Sequence, residues 1–595
     1  MYKLYEYKKM RPMTPIIDNK SCTANIILEL YEKENCDLWS IINYIQHNKE
    51  VRQMTNFANN LKAVSDSINN RAFTENGAAA YKTTGRSLLD LNFSIPAMRK
   101  MTDDEIIKKW SIAYDETPEL AMRWLFFLRD PRGGMGERRA FRVILKWMAM
   151  YYPELISKLV RVRIRNNETE TIEELIPFYG RWDDLMKLTD SSVEFSYKVY
   201  KAINDQFKDD LANMHKGYRV SLLAKWLPSL SNKNQKAAAR KMAKKLGLLE
   251  TPYRKLVAQL RRYIDVTEVK MSNGQWGEIK YPNVPGRAGM IYRNAFMKHD
   301  EERYTQFIED VNSGKEKMNA ATLFPHEIVS KIRRVGYNRE DVSTLEAMWK
   351  CLPNLIPAGT GGTLVVRDGS GSMETGVGKD SKVSAADVAD ALSLYFAEKL
   401  SGEFHNKLVS FSEHPVFIDL DNARSQSVAD RMNYMSRFHE VANTNIEAVF
   451  NMVLDTAVRF HMKQESLPAN ILIISDMEFD GCVCDDEGWR LSHRSDSTTL
   501  FDNIKQHYSN LGYKLPKVIF WNVNSRSGAI PMTENELGVT LVSGFSLNLV
   551  KMVMSNKMDP WDCLVEQLLN PRYNHVSDAL DHNNALYQLR LIHGM

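Results

Sequence analysis

Asp368-Gly369-Ser370-Gly371-Ser372 sets one carboxylate and two hydroxyls at alternate positions, separated by glycines that let the backbone turn tightly. Hard oxygen donors at this density suit a small divalent cation, Mg2+ or Mn2+. The same string is also ordinary turn chemistry, so its meaning depends on what surrounds it. Other strings carry less. Gly133-Gly134-Met135-Gly136 lacks the Gly-Lys-Ser/Thr ending and the preceding strand of a phosphate loop. It reads as a helix–helix turn, with Arg138 and Arg139 at the start of the next helix in a position to face an anion. His299-Asp300 are neighbours on a helix and point apart, and His326-Glu327 lacks the second His of a zinc-protease motif. Cys482-x-Cys484 has no second pair or nearby His at zinc-ligand spacing.

The elements around Asp368 supply the missing context. Thr363-Leu364-Val365-Val366 is apolar and largely β-branched, the pattern of a buried strand, and it runs straight into Asp368. Asn443-Thr444-Asn445 opens an apolar-periodic helix (Ile446, Val449, Phe450, Val453), and a second buried strand, Ile471–Ile474, delivers Ser475-Asp476 at its C-terminal end. Strand ends of this kind are where open parallel sheets place their sites. Strand–DxSxS, then Thr on a helix-leading loop, then strand–Asp resembles the metal-ion-dependent adhesion site of von Willebrand factor A domains. The resemblance implies that Asp368, Ser370, Ser372, Thr444 and Asp476 ligate Mg2+ or Mn2+, whose last position takes a carboxylate or phosphate oxygen from a partner. Two residues depart from the pattern. Asn445 stands where many A domains carry Asp, and Arg367 sets a guanidinium beside the site, where it would weaken the metal or neutralise an acidic ligand. Glu478 and Asp480 are the nearest additional acids. The alternation continues through helix Ala385–Leu400, strands Leu408–Ser410 and Val416–Leu420, helix Leu500–Leu511, strands Val518–Asn522 and Val539–Val542, and helix Leu547–Ser555. An α/β A-like domain over 363–555 follows, with a helical appendage, 556–595, docked back.

A chain of 595 residues exceeds what one core supports, so two or three domains are expected. Its 44% hydrophobic and 26% charged residues are a globular composition, with no apolar run long enough to span a bilayer. The opening MYKLYEYKKMRPM lacks the apolar stretch of a secretory signal, and six scattered cysteines make no disulfide framework. A reducing cytoplasm is the expected location, the host's if the chain is viral. Net charge is only +4, yet Lys216–Arg262 holds thirteen Lys or Arg against one acid, Glu250. Lys233, Lys236, Arg240 and Lys244 recur at three- and four-residue steps and share a helix face, where like charges repel unless an anion lies alongside. A solvated basic face is the plain alternative. Phosphate-backbone binding accounts better for the imbalance, through Lys233, Lys236, Arg240, Lys241, Lys244, Lys245, Arg261 and Arg262. Without interleaved aromatics, shape and phosphate readout is expected rather than base reading.

The remainder reads as helices. Ala24–Glu34, Asp37–His47 and Val51–Ile68 form an N-terminal extension over 1–70 with no assigned function. Asp103–Tyr114, Pro118–Arg129, Glu137–Tyr151, Ile172–Leu188, Val193–Met214 and Lys233–Leu246 show helical spacing with Pro, Gly or Asp at the joints. Helical hairpins without strands suggest an all-α, HEAT-like solenoid over 71–350, and Pro- and Gly-rich 351–362 a linker. Several strings, from Glu75-Asn76-Gly77-Ala78 through Arg129-Asp130-x-Arg132-Gly133-Gly134, Tyr179-Gly180-Arg181-Trp182-Asp183-Asp184-Leu185 and Ala224-Lys225-Trp226 to Ser475-Asp476-Met477-Glu478-Phe479-Asp480, resemble a family of plants, fungi and large DNA viruses or phages. That family is related in plan to the TROVE/Ro ribonucleoproteins. The likeness implies a ring-forming helical domain that binds structured RNA, followed by an A domain, and no enzyme. A second reading is a metal-dependent protein–protein adaptor, such as a viral assembly or host-interaction factor, whose basic face meets an acidic protein. A hydrolase fits least, since the ligands are mostly neutral hydroxyls with no positioned general base.

Overall fold

The computed structural model describes residues 61–62, 65–66 and 69–582, apart from 161, 167–168, 337–338, 380, 439, 441 and 482–498. The helices expected at Ala24–Glu34, Asp37–His47 and most of Val51–Ile68 lie outside the described residues, as do Cys22, Cys36 and Cys482-x-Cys484.

Apolar residues at three- and four-residue spacing give helices such as Asp103–Glu116 and Arg139–Tyr151 one buried stripe packed on sequence neighbours, whereas Pro118–Arg129 is buried on every side. In order these are α1 (Ser87–Phe93), α2 (Asp103–Glu116), α3 (Pro118–Arg129), α4 (Arg139–Tyr151) and α5 (Pro153–Val160). A hairpin of β1 (Val162–Asn166) and β2 (Thr169–Glu173) interrupts them. Then come α6 (Val193–His215), α7 (Lys236–Lys245), α8 (Glu250–Tyr263), α9 (Gly286–His299), α10 (Glu301–Asn312), α11 (Pro325–Val335) and α12 (Arg339–Lys350). Their starts are chemically marked: Thr102 and Glu105 close a capping box on α2, and Pro118 and Pro325 sit where a missing N–H costs nothing.

The helix expected over Ile172–Leu188 is not continuous, and the N-terminal half is not strand-free. Thr169-Glu-Thr-Ile-Glu173 forms a strand, followed by two short helices, Leu175–Tyr179 and Trp182–Met186. The break falls at Gly180, where a Cβ would lie 2.6 Å from the Asp184 carboxylate and 2.9 Å from the Ile176 carbonyl oxygen.

Apolar runs in the C-terminal half form one mixed sheet of β3 (Thr363–Asp368), β4 (Lys407–Phe411), β5 (Val416–Asp419), β6 (Asn470–Ser475), β7 (Lys517–Asn522) and β8 (Val539–Ser543). The order is β8-β7-β6-β3-β4-β5, parallel throughout except that β5 runs antiparallel to β4. Strands β3, β7 and β8 are buried along their whole length, as continuous apolar runs require. The connecting helices are α13 (Ala385–Lys399), α14 (Val428–Met435), α15 (Ile446–Arg459) and α16 (Leu500–Asn510). Instead of one helix over Leu547–Ser555, a 3-10 turn (Leu547–Leu549) leads into a single helical turn, Val550–Val553.

Helix α13 is buried on nearly every side because β3 covers one face and α11 the other. Charges fasten that second contact: Arg333 of α11 pairs with Asp387 and Asp390, and Arg367 of β3 pairs with Asp390 from the other side. The C-terminal α17 (Pro560–Leu568) and α18 (Asn574–Leu580) pack back on α3, and α18 also on α5. The fully buried guanidinium of Arg123 on α3 donates to the Leu568 carbonyl (2.8 Å), Asn574 Oδ1 (2.7 Å) and Ser577 Oγ (2.7 Å). No helix among the described residues is long and apolar enough to cross a membrane.

Candidate metal centre and basic surface

Because β3 and β6 are parallel neighbours, they deliver Asp368 and Ser475-Asp476 side by side at one sheet end. Ser475 Oγ donates to Asp368 Oδ2 at 2.6 Å, and the Ser370 amide donates to Asp368 Oδ1 at 2.9 Å. The Ser370 and Ser372 hydroxyls lie 3.1 Å apart, and Ser372 also hydrogen-bonds the Asp476 carboxylate. Asp476 is followed by Met477 at φ 65°, a left-handed conformation that costs a non-glycine residue about 1–3 kcal/mol. Burial, and then the Asp368 carboxylate beside it, push the Asp476 carboxyl above the ordinary range; burial raises Asp368 as well. Asp476 Oδ2 is buried without a hydrogen-bond partner, although Arg526 Nη2 stands 3.6 Å away. Two buried carboxylates, one with an unsatisfied oxygen, and two hydroxyls form a donor set that fits a hard divalent cation.

Thr444 is tied to the segment that follows Asp476. Its amide donates to Asp480 Oδ2 at 2.7 Å, and its hydroxyl accepts from Asn76 Nδ2 at 3.3 Å. Asn76 also donates to the Glu478 carbonyl at 2.6 Å, so an N-terminal loop bridges Thr444 to the segment carrying Asp476. The bridge is anchored by Thr74, whose hydroxyl donates to the Phe479 carbonyl at 2.6 Å. Gly481 is required here, since a Cβ would run into the Gly77 carbonyl. The carboxylate of Glu478 is fully buried, and its Oε2 takes the Glu75 amide at 2.8 Å. Its Oε1 takes the Arg526 amide at 2.7 Å and the Ser527 amide at 2.8 Å. Glu478 is thus a clamp between two loops. Arg526 in turn pairs with Glu75 at 2.5 Å.

Both expected departures resolve physically. Arg367 does not face the site: strand alternation turns it away, to Asp390 and to Ser410 Oγ at 2.9 Å. Asn445 accepts from the Ala448 amide at 3.2 Å and caps α15, a task Asn performs as well as Asp. His299 stacks on Trp276 while Asp300 binds Tyr281 and Arg303, so the two share no task.

The basic segment lies on α7, α8 and the turns before them. Lys233, Lys236, Arg240, Lys241, Lys244, Lys245 and Arg262 are exposed. Arg240 pairs with Glu250 and Lys241 with Asp190, and Lys245 lies over the Tyr200 ring. Among the described residues, Lys233, Lys236 and Lys244 form no ion pair. Arg261 differs from these: it is half-buried, and its Nε and Nη2 donate to the carbonyls of Ala224 (2.9 Å) and Leu227 (2.7 Å).

Comparison with known proteins gives two regional matches. Residues 74–203 and 231–355 match a domain of unknown function, DUF2828, and residues 362–572 match a second, DUF7788. A relative in Acanthamoeba polyphaga mimivirus, uncharacterized protein L728, is 27% identical over 559 residues, spanning 87% of this chain and 91% of the viral protein. No solved structure matches. The first match begins at the loop that hydrogen-bonds Thr444, Glu478 and Phe479, and the second contains Asp368, Ser370, Ser372, Thr444 and Asp476.

Asn76, Arg526 and Glu478 had no assigned role in the sequence. Asn76 lay within a recognisable string, Glu75–Ala78, but its contact with Thr444 spans 368 positions.

Proposed function

We propose that this chain is an RNA-binding scaffold built as a helical solenoid joined to an A-like domain. The observation that carries this reading is the exposed basic face of α7 and α8, where Lys233, Lys236 and Lys244 lack ion-pair partners among the described residues. RNA would lie along it by its phosphates, held by these three with Arg240, Lys241, Lys245 and Arg262. The A-like domain would use Asp368, Ser370, Ser372, Asp476 and Thr444 to hold Mg2+ or Mn2+. The ion would supply an open position for an acidic group of a partner. The chain's own part is to place the two carboxylates and to cover Thr444 with Asn76. Raised carboxyls support the assignment, because a cation relieves the repulsion that burial creates.

The test is binding of structured RNA by the full chain and by a Lys236→Ala, Arg240→Ala, Lys244→Ala variant across a salt series. Removing three phosphate contacts reduces the steepness of log K against log salt by roughly 2 to 3, equally for unrelated sequences. An unchanged slope removes the basic face from the proposal. A native complex that survives RNase and holds an acidic protein replaces RNA with an adaptor role.

A further inference from the structure

Away from the metal centre, five arginines, Arg129, Arg132, Arg138, Arg181 and Arg287, line one cavity of about 480 Å³ whose wall includes a single acid, Glu174. They come from three separate stretches of chain: the α3–α4 turn, the Gly180 break and the start of α9. Their roles differ. Arg129 is nine-tenths buried and holds Asp184 at 2.8 Å, and Arg287 pairs with Glu327. Arg132 gives one N–H to the Phe178 carbonyl at 3.2 Å, and Arg181 lies over the Trp226 indole, 4.8 Å from its centre. Among the described residues, no carboxylate stands within ion-pair distance of Arg132, Arg138 or Arg181. Desolvation, and then the charge of Arg138, depress both Arg181 and Arg287 below the ordinary arginine range, so the cations sit close enough to oppose one another.

A folded chain gains nothing from such a gathering unless an anion offsets it. Planar guanidinium groups suit phosphate oxygens two at a time. Four aromatic residues, Phe178, Trp182, Trp226 and Phe324, share the rest of the wall with prolines, glycines, a leucine and a few polar side chains. A phosphate-binding set beside stacking surfaces, in a space within the usual 300–1,000 Å³ of ligand pockets, matches one ligand class.

We propose that this cavity binds a nucleoside phosphate, its phosphate held by Arg132, Arg138 and Arg181 and its base against the Trp226–Phe178 wall. Such a group arrives either as a free nucleotide or as the phosphorylated end of an RNA. In the second case the cavity extends the RNA-binding reading by adding recognition of an end, but it does not depend on the α7–α8 face.

The test is calorimetric titration of the full chain at low salt with AMP, adenosine, inorganic phosphate, and a dinucleotide with and without a 5′-phosphate. These ligands are too short to span α7 and α8. AMP is expected to bind at least tenfold more tightly than adenosine or inorganic phosphate. Arg138→Gln alone, at an exposed position, and together with Arg181→Gln, should weaken AMP at least tenfold. The Lys236, Arg240, Lys244 variant should bind AMP as the parent does, which separates failure of this site from failure of the basic face. Tighter binding of the 5′-phosphorylated dinucleotide than of AMP assigns an RNA end, and the reverse a free nucleotide. The proposal is overturned if neither ligand binds at millimolar concentration. It is also overturned if adenosine or inorganic phosphate matches AMP, or if both arginine variants bind as tightly as the parent.

Discussion

His326 shows how a single side chain can set a pH limit. It lies between Phe324 and Phe545 with its Nδ1 buried and without a hydrogen-bond partner. Burial, with Arg99 and Arg287 nearby, pushes it from its ordinary 6.5 down to about 3. The folded chain keeps the imidazole neutral, whereas the unfolded chain takes up a proton below about pH 6.5. The stability it contributes is therefore complete above that value and is lost as the pH falls toward 3. Urea denaturation of His326→Phe against the parent should show the parent losing about 1.4 kcal/mol more per pH unit between pH 6 and 4. Parallel profiles would disprove this. Asp368 and Asp476 are shifted upward instead: their raised carboxyls must shed protons before a cation binds, so Mg2+ affinity should rise with pH. Mn2+ or Mg2+ should raise the melting temperature of the parent and not that of Asp368→Asn. An equal rise in both would place the ion elsewhere.

Among the elements, α3 binds the C-terminal helices through packing, the Arg123 guanidinium and the Asp130–Arg572 pair at its end. Arg123→Met keeps the apolar stem but leaves the Leu568 carbonyl, Asn574 and Ser577 without their donor. The expected cost is about 3 kcal/mol, with early protease cleavage after residue 568. Unaltered denaturation and cleavage patterns would show that packing and the Arg572–Asp130 pair hold α17 and α18 without Arg123. Much of this layer was legible. Long β-branched runs marked β3, β6 and β7, and the α13 and α16 boundaries fell within a residue or two, because period and caps are local signals. The Leu547–Ser555 stretch misled because an apolar run cannot distinguish one helical turn from two. The gathering of Asp368, Ser370, Ser372 and Asp476 at one sheet end was legible from strand-end spacing. The two carbonyl bonds of Arg261 were not legible, because charge composition does not say which way a side chain turns. The arginine cavity was not legible as a cavity, since no local pattern joins Arg132, Arg181, Trp226 and Arg287.

For the whole molecule, the described chain from Ala72 onward is a single compact unit, and its two halves share their cores. Helix α13 gives one face to the sheet and the other to α11, while Asn522 Nδ2 of β7 donates to the Phe93 carbonyl of α1 at 3.0 Å. Residues 362–572 expressed alone would expose the α11-facing side of α13 and strip β8 of α1, leaving an apolar edge open to pairing. Size-exclusion chromatography should find that fragment aggregated and the full chain not. A monodisperse, cooperatively melting fragment would show that the sheet half needs no helical cover.

The Arg123 clasp also imposes an order of events during synthesis. Its guanidinium on α3 finds the Leu568 carbonyl 445 residues later. At ordinary elongation rates of 5–20 residues per second, roughly 20 to 90 s pass between the two. Through that interval α3 waits at the ribosome with a charge meant for the interior and an apolar flank still uncovered. The nascent chain therefore carries that uncovered flank until α17 and α18 have emerged.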